Sequence, residues 1–272
     1  MNHSIKIGCI GCGTMGGAIV KALAKHFEPA TISVSAHHAE NAQAFSQTLN
    51  CVACAQNRTV VENSDIVFFA VKPAQIASVL QEILPACNAH KLFVSMAAGI
   101  KLETLSAYTK DATHMPHWFR IMPNLPAVYG QAMTALSANP GATEDETKLI
   151  KKLLETAGKV EAVPEKLMDG VTAISGSGPA YAFLFIEALA DAAVQFGIPR
   201  SQAYVYAAQT LKGAATMALE DSRSISQLKD AVCSPAGTTI DAVASLERNG
   251  FRGTVIEAAN AAFRKAQELS RH

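Results

Sequence analysis

Ile5-Lys6-Ile7-Gly8-Cys9-Ile10-Gly11-Cys12-Gly13-Thr14-Met15-Gly16 is the stretch that decides the fold. Its first half is an apolar run of strand length, and an apolar-periodic segment through Leu23 reads as a helix. Between them stands G-x-G-x-x-G, at Gly11, Gly13 and Gly16. The first glycine permits the tight turn, and the second lets the backbone approach a pyrophosphate. The third allows the helix to pack closely, with its N-terminal amides and dipole facing the anion. Glycines alone are weak evidence, but strand, loop and helix in this order predict dinucleotide binding.

The next strand, Thr31–Val34, is expected to end at the adenosine ribose. An NAD site usually offers Asp or Glu there, to accept from the 2′-hydroxyl. This chain offers Ser35, Ala36, His37 and His38, with no acid before Glu40. Hydroxyl and imidazole donors tolerate a 2′-phosphate that a carboxylate would repel, so NADPH is favoured, with NADH as the alternative cofactor. No arginine is present to settle the choice.

Strand and helix keep alternating. Asp65–Val71 is a continuous apolar run, the pattern of a parallel-sheet strand buried on both faces. It stops at Lys72-Pro73, and a helix follows over about 74–84. Leu92–Met96 is another strand, ending at Ala97-Ala98-Gly99. Ligands of open parallel sheets sit beyond the carboxyl ends of the strands. Gly11–Gly16, Ser35, Val71-Lys72 and Ala98-Gly99 all fall there. Lys72 reads equally as a phosphate or ribose contact and as a solvated lysine at a helix start. Strands at Phe119–Asn124 and Gln131–Ser137 flank a Pro-bracketed turn. A helix over Thr143–Ala157 opens on a Thr143-x-x-Glu146 capping box. A strand at Lys159–Val163 leads to Pro164. The expected division is a Rossmann-like α/β domain over 1–163 and an all-helical domain over 164–272.

The helical half is led by Gly170–Pro199, where Glu187 and Asp191 are the charges between Val171 and Phe196. Pro179 suits a first helical turn, and Gly197 with Pro199 marks the end. A helix apolar almost all round must be buried almost all round. In a chain of this length that predicts a helix shared between subunits. A membrane span competes, but Gly, Ser and Pro interrupt the run and a charge arrives too soon. Further helices are expected at Ser201–Asp221, capped by Ser201, and at about Ser226–Cys233. Another runs from about Thr238 to Asn249, and the last, opening on a Thr254-x-x-Glu257 box, runs to about Leu269.

Composition excludes little. Lys plus Arg and Asp plus Glu each total 23 in 272 residues, so there is no basic footprint for nucleic acid and no acidic tail. Nothing at the N-terminus reads as a signal peptide, and the expected location is the cytoplasm. Cys9-x-x-Cys12 and Cys51-x-x-Cys54 have zinc-site spacing. However, Cys9 and Cys51 belong to strands and Cys12 to the glycine loop, so buried thiols in a reducing compartment are expected, and no metal. His114-Met115-Pro116-His117 is set aside for the same purpose, because Pro116 breaks the helical spacing that presents two ligands.

The break at Ser234-Pro235-Ala236-Gly237-Thr238-Thr239 is the informative part of the second half. A turn opening a helix leaves backbone N–H groups unpaired, here flanked by Ser and two Thr hydroxyls. That suits a carboxylate, and it also suits a plain helix cap that needs no ligand.

Together these residues resemble the 1-pyrroline-5-carboxylate reductase family over essentially the whole chain. The resemblance rests on the Gly11–Gly16 loop, Ala70-Val71-Lys72-Pro73, Arg120–Asn124 and Ser175-Gly176-Ser177-Gly178-Pro179-Ala180-Tyr181. Leu228–Thr239 is its most specific part. Ala236 departs from the family's usual glycine and Leu125 from its usual threonine. Ala236 would stiffen the cradle if that position needs a positive φ.

The resemblance implies reduction of 1-pyrroline-5-carboxylate to proline, the last step of proline biosynthesis. NADPH would lie along the strand ends, with Cys12, Thr14 and Met15 at the pyrophosphate. Ser35 and His37 would stand near the 2′-phosphate, Asn57 at the ribose, and Val71, Lys72 and Ala98 along the path to the nicotinamide. The substrate carboxylate would sit on the amides of Gly237 and Thr238, helped by Ser234. Thr239 would hydrogen-bond the ring nitrogen. A homodimer through the helical domain is implied, with larger rings of dimers left open, and neither nucleic acid nor membrane as a partner. A β-hydroxyacid dehydrogenase shares the two-part plan, but its alcohol chemistry needs a base, typically a lysine on the long helix. Gly170–Gly197 contains no Lys, Arg or His. A non-catalytic NADP-binding sensor would have no reason for the Ser234–Thr239 cradle.

Overall fold

The computed structural model describes residues 5–88, 90–112 and 115–270. They fall into two compact units, one running to residue 177 and joined by the segment from 262 onward, and one of residues 178–261. The expected boundary at Pro164 precedes this division, and the chain returns to the first unit at its end.

The first unit is built on one eight-stranded sheet. Its strands are β1 (Ile7–Ile10), β2 (Ile32–Ser35), β3 (Val52–Ala53), β4 (Ile66–Phe69), β5 (Leu92–Ser95), β6 (His117–Met122), β7 (Ala132–Ala138) and β8 (Gly158–Ala162). They lie in the order β3-β2-β1-β4-β5-β6-β7-β8. The first six are parallel neighbours, β7 runs antiparallel to β6, and β8 is parallel to β7. The order reverses at β1 and β4, which is where a doubly wound sheet opens a crevice. β1, β2, β4 and β5 are buried along their whole length, as strands covered on both faces must be. Phe69, Phe93 and Trp118 pack with ring centroids 5.1–5.3 Å apart on one face.

The helices of this unit are α1 (Thr14–Leu23), α2 (Ala39–Leu49), α3 (Asn57–Glu62), α4 (Ile76–Ile83), α5 (Leu102–Tyr108), α6 (Glu144–Leu154) and the short α7 (Met168–Val171). The Thr143–Glu146 capping box on α6 is present in both directions. Sequence periodicity passes over α2, α3 and α5 for clear reasons. α2 buries only Ala42 and Ser46, while α3 and α5 are six and seven residues long.

Two residues of the Arg120–Asn124 motif act as ties. Arg120 is buried and pairs with Glu165 at 3.0 Å, and the same Glu165 oxygen accepts the Leu102 amide at 2.7 Å. Asn124 donates to the Ser175 carbonyl and accepts the Met133 amide, both at 2.9 Å. It thereby fixes the π-helical turn Thr172–Gly176.

The second unit holds α8 (Gly178–Gln195), α9 (Arg200–Glu220), α10 (Ile225–Val232), α11 (Thr238–Arg248) and most of α12 (Phe251–Leu269). Pro179 sits in the first turn of α8, as expected. Ser201 does not cap α9, because the helix already begins at Arg200 behind Pro199. Ser224 caps α10 instead, in a box with Gln227. Thr254 lies inside α12 and donates to the Gly250 carbonyl at 3.2 Å. α8 and α9 bury Ala190, Ala203 and Ala207 between them. Burial all round α8 is not met within one chain, since Phe183 and Leu184 are 58% and 67% exposed, and Phe196 just past its end is 79% exposed. The helical run Glu165–Gln195 is long and apolar enough to cross a membrane by length and composition alone.

Candidate active site

Strand register brings the carboxyl ends of the sheet level. Ile10 pairs with Ser35 on one side and Phe69 on the other, and Phe69 pairs with Ser95. Past these ends lie two adjoining clefts of about 280 and 340 Å³. Gly11, Ala36, His37, Val71 and Gln75 line both.

The three glycines of the loop have three different jobs. Gly11 adopts φ +96° and donates to the Ser35 carbonyl at 2.9 Å. A Cβ there would stand 2.8 Å from the Ala70 carbonyl oxygen, and one at Gly16 would stand 2.0 Å from the Gly11 oxygen. Those two serve packing. A Cβ at Gly13 would meet no protein atom within 4 Å. The space beside Gly13 is open, and Gly13 lines the second cleft. Gly13 is also the N-cap of α1, with no side-chain cap hydrogen bond. The first-turn donors at Thr14, Met15 and Gly16 therefore have no side-chain cap competing for them, as an anion site requires. The chain fits a pyrophosphate here. Cys12 and Lys72 line the second cleft. Burial pushes the Cys12 thiol above its ordinary range, so it stands beside the cleft as a neutral group.

At the far end of the first cleft the structure revises the sequence reading. Ser35 is 1% exposed and lies beneath the cleft surface. Its hydroxyl donates to Asn57 Oδ1 at 2.7 Å. His37 is exposed and lines the cleft. Asn57 lines it too, held by Glu82, which accepts from the Asn57 amide nitrogen at 3.1 Å and from Nδ2 at 2.7 Å. Glu82 belongs to α4 and is itself a lining residue. No local pattern marks it, because it reaches the site from 25 positions beyond Asn57.

Val71 is half-buried at the cleft wall, and Ala98 and Gly99 form the turn after β5. Gly99 has φ +78°, and a Cβ there would lie 2.8 Å from the Leu269 carbonyl oxygen. The end of α12 is thus packed on this turn, and Ser270 donates to Asp169 at 2.7 Å.

The cradle is a tight turn between α10 and α11. Gly237 caps α11 with no side-chain cap bond, and its own N–H donates to the Ser234 carbonyl at 3.1 Å. The Gly237 amide, read from the sequence as a carboxylate donor, is therefore committed to closing the turn. Its lack of a side chain is what matters, since a Cβ would stand 2.3 Å from Ser234 Oγ. The free first-turn amides begin at Thr238, next to the Ser234 and Thr239 side chains. Ala236 has φ +55°, the left-handed conformation that the sequence comparison with a usual glycine raised.

Cys9, Cys54 and Cys87 are buried, whereas Cys12, Cys51 and Cys233 are only partly so, short of the expected full burial. All six are free, and Cys9 is buried in β1 with its thiol directed to the Gly11 carbonyl at 3.6 Å. Among the described residues no group of three or more His, Cys, Asp or Glu is placed to hold a metal ion. His114 lies outside the described residues, and His117 Nδ1 contacts Glu146 at 2.8 Å.

A family model described as pyrroline-5-carboxylate reductase dimerisation matches residues 165–269, and one described as NADP oxidoreductase coenzyme F420-dependent matches residues 6–99. The chain is 41% identical over 271 residues to a pyrroline-5-carboxylate reductase of Pisum sativum, covering 99% of this chain and 98% of that protein. Among solved structures it is similar to a pyrroline-5-carboxylate reductase of Coxiella burnetii, at 34% identity and TM-score 0.91, covering 98% and 99% of the two chains. It is also similar to a Plasmodium falciparum pyrroline carboxylate reductase with NADP bound, at 30% identity and TM-score 0.86, covering 98% of each.

Proposed function

The chain belongs to the pyrroline-5-carboxylate reductase family, and from that premise we propose how its own residues divide the reaction. It is an NAD(P)H-dependent oxidoreductase that reduces 1-pyrroline-5-carboxylate to proline, the last step of proline biosynthesis.

Gly11–Gly16 holds the cofactor's pyrophosphate, through the first-turn amides of Thr14, Met15 and Gly16, with Cys12 alongside. His37 faces the 2′-phosphate of NADPH, the preferred cofactor, and Asn57 the adenosine ribose. Val71, Lys72, Ala98 and Gly99 line the way to the nicotinamide, which when bound supplies a hydride to the imine carbon. The Thr238 amide and Ser234 hydroxyl take the substrate carboxylate, with Gly237 shaping the turn. Thr239 Oγ1 hydrogen-bonds the ring nitrogen. The substrate enters as the protonated imine, whose positive charge already makes the carbon electrophilic. Hydride addition leaves a neutral secondary amine, which takes its further proton from water. The protein's work is then to position the partners and exclude water. The lack of an acid–base dyad in the reading of these residues agrees with that.

A homodimer through the 164–272 domain is supported by the matched dimerisation domain and by the exposed apolar side chains of α8 and α12, Phe183, Leu184 and Ile256 among them. Six free thiols support a reducing, cytoplasmic setting.

The observation that carries the site assignment is the pair of adjoining clefts past the strand ends, lined by the glycine loop beside the uncapped start of α1. The test follows reduced-nicotinamide absorbance with 1-pyrroline-5-carboxylate, using NADPH and NADH side by side. Rapid substrate-dependent oxidation is expected, faster with NADPH. An intact protein that consumes neither would overturn the assignment.

A further inference from the structure

The loop after β2 lacks the acid that usually receives a ribose 2′-hydroxyl, yet the cleft does not lack a carboxylate. Glu82 supplies one from α4. It lines the same cleft as His37 and Asn57, and its two oxygens accept from Asn57 N and Nδ2 at 3.1 and 2.7 Å. This clamp has a second effect. A carboxylate can only accept, so it fixes the Asn57 amide with Nδ2 toward Glu82 and Oδ1 away from it. Oδ1 then faces Ser35, and the Ser35 hydroxyl must be the donor in their 2.7 Å hydrogen bond. Ser35 is buried and its one proton is spent, so it has none left for a phosphate.

We propose that Glu82 determines cofactor specificity in this chain, tempering the preference for NADPH and making NADH usable. It does so in two ways. Its negative charge stands in the cleft that takes the adenosine end of the cofactor, where it repels a 2′-phosphate and tolerates a neutral 2′-hydroxyl. Through Asn57 it also keeps the buried end of the Glu82–Asn57–Ser35 chain in an accepting state. His37, which lines the same cleft, opposes the first effect. This inference rests on the reading that the cleft binds the cofactor's adenosine end.

The test is E82Q, which keeps the size of the side chain and one acceptor for Asn57 Nδ2 while removing the charge. Calorimetric titration with 2′,5′-ADP and with 5′-AMP reads the adenosine end directly, and steady-state kinetics with NADPH and NADH read the whole cofactor. The ratio of 2′-phosphorylated to unphosphorylated affinity is expected to rise roughly five- to tenfold in E82Q, the gain shrinking as salt screens the lost charge. A merely structural role for Glu82 would weaken both nucleotides in equal proportion, and that result, or an unchanged ratio, overturns the proposal. If the wild-type protein binds neither nucleotide, the reading of the cleft fails and the proposal falls with it. Glu82→Ala serves as the second variant. It must move the ratio in the same direction whatever it costs in stability.

Discussion

The carbonyl oxygen of Leu269 lies 2.8 Å from the position a Cβ on Gly99 would occupy, and Gly99 itself sits at φ +78°. One residue of the turn after β5 is thus closed to any side chain by the last turn of the last helix. The same turn carries Ala98, which lines the proposed route to the nicotinamide.

Gly99→Ala is expected to cost on the order of 2 kcal/mol of stability, from the left-handed backbone and the displaced end of α12 together. A lowered melting temperature with a raised Michaelis constant for the cofactor is the expected pair of results. A variant that melts with the wild type would show that this packing carries no stability.

Thr239→Ala and Ser234→Ala separate chemistry from binding in the cradle. The first removes the hydroxyl assigned to the ring nitrogen and is expected to lower kcat by roughly tenfold or more, with Thr239→Ser retaining most of it. The second removes a carboxylate partner and is expected to raise the Michaelis constant for the imine with kcat largely kept. Wild-type kinetics in both would move the substrate elsewhere.

Ala236 is one of two described non-glycine residues with positive φ, at +55°. An L-residue in that conformation costs about 1–2 kcal/mol. Glycine removes the strain but adds about 0.5–1 kcal/mol of unfolded-state entropy to be lost. Ala236→Gly is therefore expected to stabilise by about 0.5–1 kcal/mol in calorimetry at fixed protein concentration. Destabilisation would mean that the turn depends on a stiff residue there.

Burial pushes the Cys87 thiol from 9.0 up to about 11, against the pull of Lys91. The folded state therefore holds a proton that the unfolded chain releases first. The contribution is fully present below pH 9 and is lost as pH rises through about 11. Melting temperature measured across that window should fall more steeply for the wild type than for Cys87→Ala. Parallel curves would remove Cys87 from the alkaline transition.

The fold was largely legible because its signals are local. Apolar runs of strand length, the glycine loop between strand and helix, and the Thr143–Glu146 box each lie within a few consecutive residues. α2, α3 and α5 escaped because short or little-buried helices leave almost no periodic trace. The caps at Ser201 and Thr254 were misplaced because a hydroxyl near a helix start serves equally well inside the first turn, as Thr254 does with the Gly250 carbonyl.

The sequence by itself determined the tight strand–loop–helix turn, since only glycine at 11 and 16 lets backbone and helix come close enough. It also placed a break rich in hydroxyls before α11. Tertiary structure decided what those positions do. It buried Ser35 under the cleft and spent the Gly237 amide on the Ser234 carbonyl. It put Ala236 in the left-handed region and brought Glu82 to Asn57 across 25 residues of chain. Hydrogen-bond partners and solvent exposure depend on which distant segments meet, and sequence spacing carries no record of those meetings.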